Sequence, residues 1–235
     1  MRDKATRKAR RTPGNKKQSL GLGELVRVDP LTDTQEVAFR SSNNMVLDGS
    51  AGTGKTFLSM YRGLDSVINR EEHSRLVIIR SNVETRKMGY LPGTEKEKVE
   101  VYEAAYRDIA SELFERGDAY DILKLKGIVH FMPTSFIRGT TLRDAYIIVD
   151  ECQNMTYHEL DSVITRVGEN SKIVFCGDYF QSDLKDTGIL PFLDVLKAMK
   201  DFDFIHFTTD DIVRSEFVKN YLVTKYHVHG NKQII

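Results

Sequence analysis

The sequence has little of what confines a chain to an unusual setting. It holds two cysteines in 235 residues, Cys152 and Cys176. So few exclude a disulfide framework and fit free thiols in a reducing compartment. No apolar run approaches the roughly 20 residues that a membrane-spanning helix needs. There is no internal repeat, so the chain is not a repeat array. There is also no excess of either charge, because the formal net charge is zero. At 40% hydrophobic and 29% charged residues the composition is that of an ordinary folded protein. A soluble, intracellular chain is expected.

The charge is unevenly spread. Residues 1–20 carry eight Lys or Arg (Arg2, Lys4, Arg7, Lys8, Arg10, Arg11, Lys16, Lys17) against Asp3 alone, so this head is +7 and the remainder −7. The head has no apolar core, which excludes a secretory signal peptide, and no periodicity of a packed element. It is expected to be a disordered arm. It suits phosphate backbones or acidic surfaces, or serves as a solubilising tail. Residues 21–235 read as one domain.

The strongest pattern is Gly49-Ser50-Ala51-Gly52-Thr53-Gly54-Lys55-Thr56, which fits G-x-x-x-x-G-K-[ST]. A short apolar run at 45–48 precedes it, and Phe57, Leu58, Met60, Tyr61, Leu64, Val67 and Ile68 follow at helical spacing. Glycines let backbone N–H groups converge on phosphate oxygens, and the helix that follows directs its positive end to the same place. Lys55 can reach the β- and γ-phosphates, and Thr56 can bind Mg²⁺. ATP with Mg²⁺ is the expected ligand.

Apolar runs at 45–48, 76–80, 127–131, 146–150, 172–176 and 203–207 alternate with helical patterns, clearest at 56–69, 96–116, 156–166 and 189–200. That alternation implies an α/β fold, a parallel sheet with helices on both faces and ligands at the strand C-termini. Residues 81–125 form the longest interval between strands and are the expected partner-contacting region.

Two further constellations follow the loop. Tyr146-Ile147-Ile148-Val149-Asp150-Glu151 is an apolar strand ending in two carboxylates. Asp150 is placed to hold Mg²⁺ through its water shell, and Glu151 to polarise an attacking water, which argues for hydrolysis. After the strand at 172–176, Gly177-Asp178 leads to Gln181, which can sense a γ-phosphate or the attacking water. For Gln181 to reach the loop, strand 172–176 must lie between strands 45–48 and 146–150. Direct pairing of the outer two would mark the kinase-like class of P-loop proteins instead. Upstream, Gln35 opens a short helical stretch and is a candidate adenine reader, through the bidentate amide geometry.

In this order, Gln35, residues 49–56, Arg80, Gly89-Tyr90-Leu91-Pro92-Gly93, Glu97-Lys98-Val99, Arg138-Gly139-Thr140-Thr141-Leu142, Asp150-Glu151-Cys152-Gln153-Asn154, Gly177-Asp178 with Gln181 and Asp183, and Asp211-Ile212-Val213-Arg214 resemble the PhoH-like family of phosphate-starvation-inducible ATPases. Ser81 and Cys152 stand where that family commonly has proline and alanine. The resemblance implies a RecA-like P-loop domain similar to the first motor domain of superfamily 1 helicases. It implies ATP hydrolysis coupled to RNA or single-stranded nucleic acid, in a minimal, phage-type form acting in the cytoplasm of a bacterium or infected host.

A lone motor domain lacks the second wall that supplies an arginine finger. A homo-oligomer, with six copies as first guess, is therefore expected, with Arg166 or Arg214 reaching a neighbour's nucleotide. Tyr90 and Phe136 could stack on bases, although core packing is the commoner fate of such rings. The rival readings are a non-motor ATPase switch acting on a protein partner and a small-molecule kinase. Glu151 and Gln181 count against the kinase, which excludes water rather than activating it.

Overall fold

A computed structural model describes residues 22–81, 95–179 and 188–230. The basic arm, the Leu91-Pro92-Gly93 segment and Gln181 lie outside the described residues. In chain order the elements are α1 (Asp33–Arg40), β1 (Asn44–Gly49), α2 (Lys55–Ile68), β2 (Arg75–Arg80), α3 (Glu95–Phe114), α4 (Ala119–Leu125), β3 (Val129–Pro133), β4 (Ala145–Asp150), α5 (Tyr157–Ile164), β5 (Lys172–Gly177), α6 (Ile189–Met199), β6 (Phe202–Phe207) and α7 (Glu216–Gly230).

The strands form one sheet in the order β3-β2-β4-β5-β1-β6, with every neighbouring pair parallel. β5 lies between β1 and β4, as the motif order requires. Alternation along each strand divides the core in two. Met45, Leu47, Leu76, Ile78, Tyr146, Ile148, Val174 and Cys176 face α1, α2, α3 and α4. Val46, Val77, Ile79, Ile147, Val149, Ile173 and Phe175 face α5 and α6. All six residues of β4 are buried, which is why its sequence reads as a continuous apolar run.

Local chemistry fixes the helix ends. Thr156 caps α5 by accepting from the Glu159 N–H, while Glu159 accepts from the Thr156 N–H at 2.9 Å, a reciprocal capping box. The second oxygen of Glu159 accepts from Ser81 at 2.8 Å and Thr134 at 2.7 Å, so the ends of β2 and β3 are tied to the start of α5. The expected strand at 127–131 begins two residues later, at Val129. The reason is α4, which sequence periodicity did not reveal. It closes through Gly127 (φ 70°), with Ile128 N–H bonded to Leu123 C=O at 2.9 Å and Gly127 N–H to Lys124 C=O at 3.0 Å.

α2 packs unusually near the sheet at Gly63. A Cβ there would sit 2.7 Å from Leu76 Cδ1 and 2.9 Å from the Tyr146 ring. Gly63→Val should overpack this contact and destabilise the domain by about 1–3 kcal/mol. Urea unfolding should show a lower midpoint with an unchanged slope.

Candidate functional site

β1 ends at Gly49, whose φ is 131°; a Cβ at that position would lie 1.8 Å from the Phe207 carbonyl oxygen. Only glycine allows β1 to run so near β6 and then turn away. Gly52 (φ 81°) and Gly54 (φ 85°) complete the left-handed turns of the loop. The loop is braced by Thr53 Oγ1 donating to Ser50 C=O at 2.9 Å and by Val213 N–H donating to Gly52 C=O at 3.1 Å. α2 starts at Lys55 with no side-chain cap and no acidic residue in its first turn. Its free N–H groups and positive end therefore face the loop unopposed, the arrangement that binds phosphate.

The Lys55 ammonium folds over the loop and donates to Gly49 C=O at 2.7 Å and Ser50 C=O at 2.8 Å. Burial pulls its pKa down, opposed by the nearby carboxylates, Asp178 foremost and then Asp48 and Glu151. It is a cation held by backbone dipoles, with no carboxylate within ion-pair distance among the described residues. An oxyanion entering the loop would meet it at full strength.

Thr56 Oγ1 donates to Asp150 Oδ1 at 2.9 Å, joining the first turn of α2 to the end of β4. Asp150 Oδ2 accepts from the Tyr106 hydroxyl of α3 at 2.8 Å. Asp150 is buried, and burial and Glu151 raise its pKa against the hydrogen bonds from Tyr106 and Thr56 and the charge of Arg80. A hydroxyl and a carboxylate in contact are hard oxygen donors that suit Mg²⁺. Among the described residues no group of three or more His, Cys, Asp or Glu could hold a metal by itself.

Glu151 has a left-handed backbone (φ 52°), which aims its side chain away from the line of β4. Gln153 Nε2 donates to Glu151 Oε2 at 2.6 Å, and Gln153 Oε1 accepts from the Asp178 N–H at 3.2 Å. The two constellations are thus joined by one buried amide. Gly177 leaves room for it: a Cβ there would lie 2.9 Å from Gln153 Oε1, Cys152 Sγ and Tyr179 Cε1 alike. Sequence reading did not assign Gln153 or Tyr106 a role. Gln153 could have been found from its place two residues after Glu151. Tyr106 carries no local signal.

Other expected site residues fall in three places. Gln35 sits beside the loop, with Nε2 donating to Thr53 C=O at 3.0 Å and Oε1 accepting from Leu31 N–H at 2.8 Å. One amide hydrogen and one lone pair remain for a base. Arg214 is exposed and lies against the loop of its own chain, its Cγ 3.0 Å from where a Gly52 Cβ would be. Arg166 is at the opposite edge of the sheet, where its C=O accepts from Leu142 N–H at 2.8 Å ahead of β4. It is not brought to the loop of its own chain. Phe136 also departs from expectation: it is 51% exposed at the end of β3 instead of packed in the core.

A parallel sheet in this order, with glycine loop, Thr56–Asp150 pair and adjoining glutamate at its C-terminal edge, defines a RecA-like P-loop NTPase domain. The chain belongs to the PhoH-like family, whose model, described as PhoH-like protein, matches residues 27–226. It is 33% identical to the PhoH-like protein of Mycobacterium tuberculosis (strain ATCC 25618 / H37Rv) over 203 residues, 83% of this chain and 56% of that protein. It is 36% identical to Protein PhoH2 of Bacillus subtilis (strain 168) over 189 residues, 78% of this chain and 38% of that protein. The chain thus spans about half the length, or less, of these curated relatives. Among solved structures it is similar to the large terminase of a thermophilic bacteriophage, at 16% identity and a TM-score of 0.48, over 82% of this chain and 50% of that one.

Both thiols of the site are buried. Burial pushes Cys152 up to about 12, and Cys176, which contacts Ser59 Oγ at 3.1 Å, well above the usual thiol range. Below those values the thiolate is scarce in the folded state. At pH 8, labelling by a disulfide reagent should therefore be ~100-fold or more slower than in the unfolded chain and should track unfolding.

Proposed function

We propose that the domain binds Mg²⁺·ATP at residues 49–56 and hydrolyses it, and that turnover is coupled to RNA or single-stranded nucleic acid. The observation that carries this reading is the Thr56–Asp150 contact with Glu151 beside it, facing a loop that holds the Lys55 ammonium. Thr56 and Asp150 would hold the ion, which when bound neutralises charge on the β- and γ-phosphate oxygens. Lys55 exchanges loop carbonyls for phosphate oxygens. Glu151 accepts a hydrogen bond from the attacking water and orients it, while Gln153 fixes the direction of the carboxylate. Gln35 reads the adenine edge with its remaining amide hydrogen and lone pair. Gln181 reports the γ-phosphate.

The position of Arg214 over Gly52 supports a role in its own chain's site. Arg166, at the far edge, could reach a nucleotide only on a neighbouring copy. A ring of copies, six as first guess, remains the assembly proposed. It is supported by α7, whose Phe217 is 82% and Tyr221 61% exposed, an apolar face left uncovered among the described residues. Coupling to nucleic acid is supported by exposed Phe136 with Arg138, whose guanidinium donates to His158 Nε2 at 2.7 Å, a stacking ring two residues from a cation at the ligand-binding edge.

Two substitutions separate the roles. Lys55→Ala should weaken ATP binding by about tenfold or more. Glu151→Gln should lower kcat on the order of 100-fold or more while ATP affinity stays within about threefold. Wild-type turnover by Glu151→Gln would remove that carboxylate from the mechanism. Basal turnover should rise with single-stranded RNA; indifference to RNA would favour a switch acting on a protein partner.

Assembly has its own test. Sedimentation with ATP should give an oligomer. Glu151→Gln subunits should fail to rescue Arg214→Ala subunits if Arg214 acts within its own chain, and should rescue Arg166→Ala subunits if that residue acts across the interface. A fully active monomer would overturn the ring.

A further inference from the structure

Arg80 and Asp150 are register partners at the ends of neighbouring parallel strands β2 and β4. Parallel partners point to the same face, and two residues earlier Ile78 and Ile148 lie in the core beneath α2 and α3. The loop side chain Thr56 and the α3 side chain Tyr106 therefore meet Asp150 on one face, from two directions. Thr56 takes Oδ1 at 2.9 Å and Tyr106 takes Oδ2 at 2.8 Å. The Arg80 guanidinium lies 5.5 Å from the centre of the Tyr102 ring, and its charge acts on both Tyr106 and Asp150.

Tyr106 is fully buried. It is not there merely to fill space, because a phenylalanine would fill the same volume. The helix is independently anchored one turn earlier, where buried Glu103 accepts from Lys124 at 2.6 Å and Tyr120 at 3.2 Å of α4. α3 thus stays docked without the Asp150 bond. What the phenol supplies is direction. A carboxylate has about four lone-pair positions. With one taken on each oxygen by a fixed hydroxyl, the carboxylate plane is set, and the two that remain are left to the water shell of an ion.

We propose that Tyr106 is a positioning residue for the Mg²⁺ site: its hydroxyl, with the charge of Arg80 nearby, fixes the plane of Asp150 so that the carboxylate can order the hydration shell of the ion. The contact also makes α3, which lies within the longest interval between strands, a mechanical neighbour of the proposed metal site. This inference rests on the assignment of Asp150 to Mg²⁺ made above.

The test is calorimetric binding of a non-hydrolysable ATP analogue, in excess Mg²⁺ and in EDTA, to wild type, Tyr106→Phe, Tyr120→Phe and Arg80→Gln. Wild type should bind more tightly with Mg²⁺. Tyr106→Phe should keep the EDTA affinity within about twofold and lose about fivefold or more of the Mg²⁺-dependent gain. Arg80→Gln should lose part of that gain, and serves alone if Tyr106→Phe does not fold. Tyr120→Phe, which breaks a buried phenol–carboxylate bond between α3 and α4, should keep the gain. A Tyr106→Phe protein with the full gain would overturn the proposal, as would equal losses in Tyr106→Phe and Tyr120→Phe, which would mark general packing. No Mg²⁺-dependent gain in wild type would remove the assignment of Asp150 itself.

Discussion

The hydrogen bond between Thr56 and Asp150 is the contact around which the domain is arranged. It joins the turn after β1 to the end of β4, across the intervening strand β5. A buried carboxylate without partners is costly by several kcal/mol, and at Asp150 hydroxyls on both oxygens, with the charge of Arg80, oppose that cost. One comes from the loop and the other from α3. The strand register that sets β4 beside β2, and the packing of α2 and α3 on the same face, are thus conditions for holding one negative charge at one point. The loop, the sheet and the helix layer are coupled through that requirement.

The strain at Glu151 belongs to the same arrangement. Its positive φ is of the kind that costs of order 1–3 kcal/mol at a non-glycine residue. The other such residues, for example Glu71, Glu115, Asn170 and Lys200, lie in connections between elements, where the chain must turn. Glu151 directly follows the buried strand β4, and its carboxylate is held by Gln153, which is itself held by the Asp178 backbone. The surrounding bonds over-determine the conformation. Strain retained beside the glycine loop and aimed by a dedicated amide suits the water-orienting role proposed for Glu151.

Much of this was legible in the sequence because the relevant signals are local. Strands buried on both faces must be apolar throughout, and the glycine loop must have its residues in a fixed order. The position of β5 followed from the need of Gln181 to reach the loop, although Gln181 itself lies outside the described residues. What was not legible depends on distant packing. Tyr106 meets Asp150 across 44 residues of chain, and nothing near it in sequence announces the contact. α4 was hidden because its buried residues, Ala119, Tyr120, Ile122 and Leu123, span less than about one and a half turns, too few for a period to emerge. For Phe136 both base stacking and core packing were open, and the general habit of aromatic rings, which favoured the core, says nothing about a residue in the turn after an edge strand.

The glycine that opens the loop has a consequence for the making of the protein. Gly49 runs against the carbonyl of Phe207, Ser50 N–H donates to that same carbonyl, and Val213 donates to Gly52. The loop is synthesised early, but its final wall is laid down by β6 and the turn after it, near the end of the domain. A nascent chain displays the whole phosphate-binding sequence long before it can adopt the closed geometry. Closure of the loop therefore waits on β6, although every residue of the loop itself precedes it by more than a hundred positions.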